Sequence, residues 1–204
     1  MLRTDTIRED TLELLKKISN HSSFNDFFLV GGTALALQIG HRISVDLDFF
    51  SENKFNQVEL SEILIKDFDI NISNIADNTI IGSINNVKVD FLAHQYPSLS
   101  KKKIEGSIKL ASLKDIAAMK INAVRNRGTK KDFVDIYFLL QEYSLKELLE
   151  FTNKKYPNHT DILTLKSLIY FEDADTQPDC DMLIDVAWEA IKKEIIKEIL
   201  PFLR

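Results

Sequence analysis

Residues 29–50 read LVGGTALALQIGHRISVDLDFF. An apolar run meets a glycine pair, and an Asp-Leu-Asp follows among apolar residues. Read as a strand over residues 45–50, this segment places Asp46 and Asp48 on one face and Val45, Leu47 and Phe49 on the other, toward a core. Two ionised carboxylates one strand repeat apart, about 7 Å, repel each other. A divalent cation removes that cost, and Mg²⁺ takes carboxylate and water oxygens together with substrate phosphates. Two such ions about 4 Å apart clamp the oxygens of an in-line phosphoryl displacement. A solvated strand face gives the same Asp-x-Asp pattern, so the pair does not decide by itself.

The glycines add weight. Gly31 and Gly32 follow a strand-like run, Phe27–Val30, and precede a short helical pattern over 33–39 that Gly40 stops. Backbone amides at a helix start, with no Cβ in the way, approach a phosphate closely. Thr33 adds a hydroxyl and suits a cap. One stretch thus combines a phosphate cradle with two candidate metal ligands. Arg42, four residues before Asp46, is either a phosphate contact, an orienter of the aspartates or a surface arginine.

Further along, strands are expected over 68–75, 79–84 and 87–93, with Asn85-Asn86 as a tight hairpin between the last two. In the third, Asp90 alternates with Val87, Val89 and Phe91. As a neighbour of the Asp46 strand it would be a third carboxylate, able to bind metal or accept a proton from an attacking hydroxyl. Helices are expected over 6–19 and 58–66, and again over 112–126, 131–143, 145–155, 161–171 and 181–202. The Ser- and Lys-rich segment 97–111 marks the change from mixed to helical character. The organisation is therefore α+β: a mixed sheet with helices in residues 1–108, then a helical bundle in 109–204 closing a cleft.

Within the helical half, Ile116, Lys120, Ala123 and Arg127 fall on one stripe. Lys120 is placed either to neutralise a triphosphate or to snorkel. Asp132 and Asp135 share a side of the next helix. Asp135 sits in FVDIYFLL (133–140), where a carboxylate needs a partner, Lys120 or Arg127. Asp132 serves either the site or only its own helix start. Lys101–Lys103 and the group Arg125, Arg127, Lys130, Lys131 are either contacts for an RNA backbone or solvated surface.

The 204 residues carry a net charge of −5, so no global attraction to nucleic acid is implied. A single cysteine, Cys180, excludes an intramolecular disulfide framework and suits a reducing cytoplasm. No signal peptide and no membrane span are expected.

Two stretches together, GGTALALQIGHRISVDLDFF (31–50) and LKDIAAMKINAVRNRGTKKDFVDIYFLL (113–140), resemble the AbiEii/AbiGii toxin family of nucleotidyltransferases, within the DNA polymerase β-like superfamily. Residues 167–193 are similar to its C-terminal segments. The resemblance implies a polymerase β-like fold and transfer of a nucleoside monophosphate from an NTP to a hydroxyl. It further implies a toxin of a type IV toxin–antitoxin or phage-defence system, with a cognate antitoxin and, for some members, the acceptor end of tRNA as target. Ser44 and Asp46 match the family's Ser-x-Asp, Lys120 its helical lysine, and Lys131, Asp132 and Asp135 its Lys-Asp-x-x-Asp. The expected catalytic set is Asp46, Asp48, Asp90, Lys120 and Asp135. Asp46, Asp48 and Asp90 would bind two Mg²⁺ ions. Gly31, Gly32, Thr33, Arg42, Ser44, Lys120, Arg127 and Asp132 would bind the NTP. A small-molecule, antibiotic-modifying nucleotidyltransferase and a non-catalytic nucleotide-binding module are the competing expectations.

Overall fold

The computed structural model of the protein describes residues 1–202; residues 203 and 204 of the expected helical half lie outside them. In chain order the elements are α1 (Glu9–Asn20), β1 (Phe27–Val30), α2 (Gly31–Ile39), β2 (Leu47–Ser51), α3 (Gln57–Phe68), β3 (Asn71–Ala76), β4 (Thr79–Ile84), β5 (Val87–Ala93), β6 (Lys103–Glu105), β7 (Ile108–Leu110), α4 (Leu113–Asn126), α5 (Lys130–Glu142), α6 (Leu145–Lys155), α7 (Asp161–Leu168), α8 (Glu172–Asp175) and α9 (Trp188–Ile199). The strands form one mixed sheet in the order β3-β4-β5-β2-β1-β7-β6. The α+β class is as expected from the sequence.

Local chemistry accounts for many boundaries. Asn85 and Asn86 both take positive φ, 50° and 64°, the conformation a two-residue hairpin turn requires and asparagine tolerates. Ser112 caps α4 by accepting from the Asp115 amide at 3.2 Å. Ser144 and Glu147 form a capping box at α6. Gly40 ends α2 with φ +75°.

Four expectations change. Strand β2 begins at Leu47, two residues later than its pattern suggests, and Val45 is 52% exposed rather than in the core. The segment 97–111 holds the β6–β7 hairpin, and Leu110 pairs in parallel with Leu29 of β1. The expected boundary at 108/109 therefore falls inside a strand, and one continuous core includes both Phe91 and Ile121. The 68–75 strand starts only at Asn71 because α3 runs on to Phe68. Finally, the helix expected from residue 181 begins at Trp188. The chain before it is not helical because its backbone bonds elsewhere: Ile43 N–H donates to Asp181 O at 2.8 Å, and Leu183 N–H to His41 O at 3.0 Å. Those bonds strap the chain across residues 41–43 and replace the helical ones.

Helix α2 lies at the junction, packed on β1 and β2 and against α4 and α5. It carries five buried residues, Thr33 to Leu37. Helix α4 in turn packs on α5, α6 and α7, so the sheet's cleft face and the bundle meet along α4.

Candidate active site

Asp48 and Asp90 are register partners on the parallel strands β2 and β5. Their backbones are therefore about 5 Å apart and their side chains leave the same face. β1 ends beside them: Val30 pairs with Asp48, and Gly31 turns out of the strand with φ +72°. A Cβ at Gly31 would strike Asp48 Oδ2, so glycine is needed for space as well as for conformation.

A cleft of about 370 Å³ opens over this pair. Gly31, Asp48 and Asp90 line it from the sheet, Lys120 and Arg127 from α4. Burial, and then repulsion by Asp90, push the Asp48 carboxyl above its usual range. Asp90 accepts from Lys88 Nζ at 2.6 Å through Oδ2. Its Oδ1 is buried and has no hydrogen-bond partner, an arrangement that costs free energy unless a ligand satisfies it.

Asp46 is placed differently. It precedes β2, lies 3.5 Å from Lys131 Nζ and is not among the residues lining the cleft, although its charge adds to the upward push on Asp48. Among the described residues no group of three or more His, Cys, Asp or Glu is placed to hold a metal ion. The expected metal trio of Asp46, Asp48 and Asp90 is thus not preassembled. Strand register joins Asp48 to Asp90, while Asp46 turns toward Lys131. The remaining pair still suits a hard cation. Its two carboxylates adjoin, one is disfavoured as an anion, and one buried oxygen has no donor.

Beside the cleft lies a second charged cluster, completely buried at its centre. Asp135 accepts from Arg42 Nε at 2.7 Å and Arg42 Nη2 at 3.0 Å and from His41 Nε2 at 2.8 Å, and pairs with the Lys120 ammonium at 2.5 Å. Asp132 accepts from Lys120 Nζ at 2.9 Å, Arg127 Nε at 2.9 Å and the Thr129 hydroxyl at 2.5 Å. Burial pushes both carboxyls up, but the adjacent cations outweigh it and hold both below the usual range, Asp135 well below. Burial lowers Lys120, yet Asp135 and Asp132 raise it on balance, so it stays charged. His41 is lowered, by burial above all, and is a neutral donor.

This network revises several expectations. Arg42 is a buried partner of Asp135 and not a surface arginine. A Cβ at Gly32 would strike Arg42 Nη2, so Gly32 makes room for that guanidinium. Thr33 lies inside α2 and does not cap it. Its hydroxyl donates to the Asp46 carbonyl and lies 2.8 Å from the Ser44 hydroxyl, so Thr33 and Ser44 brace the approach to β2. Asp132 is a full member of the network rather than a helix-start charge alone. Of the basic clusters, Lys102 pairs with Glu52, Lys130 with Asp179 and Lys131 with Asp46, so much of the expected RNA-facing charge is engaged within the protein.

Four residues escaped the sequence reading. His41 had a signal, lying next to Arg42 in the opening motif. Phe50 and His94 continue the two-residue series from Asp48 and Asp90 and line the same cleft. Tyr156, also in the lining, comes from the end of α6 and carried no signal.

The chain matches a protein-family model whose description reads "Nucleotidyl transferase AbiEii toxin, Type IV TA system", over residues 13–202. It is 35% identical over 203 residues to an uncharacterized protein of Aquifex aeolicus (strain VF5), covering 97% of this chain and 98% of that one. Among solved structures, MenT4, a nucleotidyltransferase toxin of Mycobacterium tuberculosis H37Rv, aligns with a TM-score of 0.59 at 14% identity, covering 94% of this chain and 85% of that one. JHP933 from Helicobacter pylori aligns with a TM-score of 0.51 at 20% identity, covering 97% and 98%. At these identities the structural likeness is one of fold. Among the described residues no helix is long and apolar enough to cross a membrane.

Proposed function

The chain belongs to the AbiEii family of nucleotidyltransferase toxins, and from that premise we propose the following reaction. A nucleoside monophosphate passes from an NTP to a hydroxyl acceptor, with the 3′ end of tRNA as the acceptor and an antitoxin protein as the partner that restrains it. The observation that carries the site assignment is the register pairing of Asp48 with Asp90 beside Gly31, in a cleft faced by Lys120 and Arg127.

Each group has a role its surroundings support. Asp48 and Asp90 would hold Mg²⁺. When bound, the ion supplies positive charge to the phosphates and lowers the pKa of a coordinated hydroxyl. A second ion would need Asp46, whose carboxylate is now beside Lys131. Lys120 spends two of its three donors on Asp132 and Asp135, which leaves one for a phosphate oxygen. Arg127 uses Nε and Nη2 on Asp132 and keeps further N–H groups for the triphosphate. The amides at the start of α2 add the partial positive charge of a helix N-terminus. Asp90 Oδ1, without a donor, can take the acceptor hydroxyl's proton as the oxygen attacks the α-phosphorus and pyrophosphate leaves. Asp135 and Arg42 act through Lys120 and position it.

Incubation with each α-³²P-NTP, Mg²⁺ and total cellular RNA should label an RNA of tRNA size. Asp48→Asn and Asp90→Asn should each reduce labelling about a thousandfold or more, with the circular dichroism spectrum unchanged. Full labelling by either folded variant would remove these carboxylates from the mechanism.

A further inference from the structure

The cleft over Asp48 and Asp90 has a second chemical character. Phe50, His94 and Tyr156 wall part of it, with Met119 and Asn122 contributed by α4. The sheet sets the spacing. On β2, Phe50 follows Asp48 on the cleft side; on β5, Leu92 follows Asp90, and His94 continues the series just past the strand end. His94 thus stands two strand repeats, roughly 13 Å, beyond Asp90. Its backbone N–H donates to Ser51 O at 2.7 Å and fixes it past the strand end.

The rings are ordered against one another. Phe50 and His94 stack with centroids 4.8 Å apart and planes 23° apart. The Tyr156 hydroxyl lies 3.1 Å from His94 Nε2, and Tyr96 packs edge-on to Tyr156. Burial, then the charge of Lys155, push His94 down to about 4, so the ring is uncharged near neutral pH. The wall is anchored behind. Lys155, next to Tyr156 in the chain, is buried and donates to Asp115 Oδ1 at 2.8 Å and Pro97 O at 3.1 Å. The phosphate-transfer roles described above use none of these aromatic groups.

We infer that the wall formed by Phe50, His94 and Tyr156 is the subsite for the nucleobase of the incoming NTP, with the Asn122 carboxamide at its edge. This rests on the nucleotidyltransferase reading of the same cleft and adds where the base lies. A planar aromatic base extends the Phe50–His94 stack, while the triphosphate lies toward Gly31, Lys120 and Arg127. The cleft's about 370 Å³ suits one small ligand, which favours the NTP over a base of a polymeric acceptor. A stacking wall accepts any base, since every base has a π-face. Discrimination among bases then falls to Asn122, whose amide offers both a donor and an acceptor.

The test compares equilibrium binding of the four NTPs with that of inorganic tripolyphosphate, in Ca²⁺, by calorimetry on the full chain. Wild type should bind NTPs about tenfold or more tightly than tripolyphosphate. Phe50→Leu and His94→Leu should each erase most of that margin and leave tripolyphosphate affinity unchanged, while His94→Phe, which keeps a ring, retains it. Asn122→Ala should narrow the differences among the four NTPs. A margin that persists in both leucine variants overturns the inference. So does unchanged NTP affinity with a raised KM for labelled RNA, which would assign the wall to a base of the acceptor. If neither NTP nor tripolyphosphate binding responds to Lys120→Met, the underlying site assignment fails instead, a distinct outcome. Thermal unfolding of each variant, with His94→Phe as the ring-preserving control, separates lost binding from lost folding.

Discussion

Two acidic clusters lie side by side in this molecule, and they are finished to different degrees. Around Asp132 and Asp135, every carboxylate oxygen meets a donor: Arg42, His41, Lys120, Arg127 or Thr129. Around Asp48 and Asp90, one carboxyl is pushed toward its neutral form and one buried oxygen has no donor. A buried network whose carboxylate oxygens all meet donors fixes geometry and is costly to break, although Nδ1 of His41 has no partner. A buried pair lacking partners is disfavoured in isolation and gains from a ligand. The contrast separates groups that position from groups that react, although all four are aspartates within one short span of structure.

That difference can be tested through stability. Asp135→Asn should destabilise the fold by about 3–5 kcal/mol, because it leaves Arg42 and Lys120 buried beside a neutral amide. Asp48→Asn should leave the urea midpoint unchanged or raise it, since it removes a carboxylate that burial disfavours. Equal losses from both substitutions would erase the distinction between the clusters.

Acid sharpens it. Asp48 has a folded pKa above the ordinary 3.8. In the window between 3.8 and that raised value the folded protein binds the extra proton, so stability rises as pH falls through it. Asp132 and Asp135 have folded pKa values below 3.8. Their contribution is fully present above 3.8 and is lost only as pH falls beneath it. His94 and His41, lowered by burial, cost stability as pH falls below 6.5, so the Asp48 gain is read as a difference: the urea midpoint of wild type relative to Asp48→Asn should rise as pH falls through the window above 3.8. Asp48→Asn should abolish the gain and keep the loss.

The smallest effect concerns the brace between the clusters. Thr33→Val removes the hydroxyl that holds the Asp46 carbonyl and meets Ser44, and should cost about 1 kcal/mol. Nucleotide affinity should change little, as the hydroxyl is buried and already engaged. A large loss of NTP binding with normal stability would return Thr33 to the phosphate cradle.

Much of the site was legible because the signals were local. A glycine pair between a strand and a helix, and aspartates alternating with apolar residues, marked Gly31, Asp48 and Asp90 as candidates, while the pairing of β2 with β5 that joins the two aspartates is seen only in the fold. The helical spacing of Lys120 and Arg127, and of Asp132 and Asp135, anticipated their shared network. Asp46 stands apart from the pair because the alternation in the sequence runs back to Val45, yet β2 begins only at Leu47. The helix start at 181 was misplaced because a competing set of backbone bonds to residues 41–43 cannot be seen in a local pattern.

Alternation, helical period and turn chemistry are properties of a few consecutive residues, so the chain itself specified the β4–β5 hairpin, the α4 stripe and the side of its own strand that each of Asp48 and Asp90 takes. Partner choice depends on which distant segments pack together. Arg42 reaches Asp135 across 93 positions, and Tyr156 reaches His94 across 62. Only the folded sheet and bundle, by setting which buried charge meets which and which ring faces the cleft, could make those assignments.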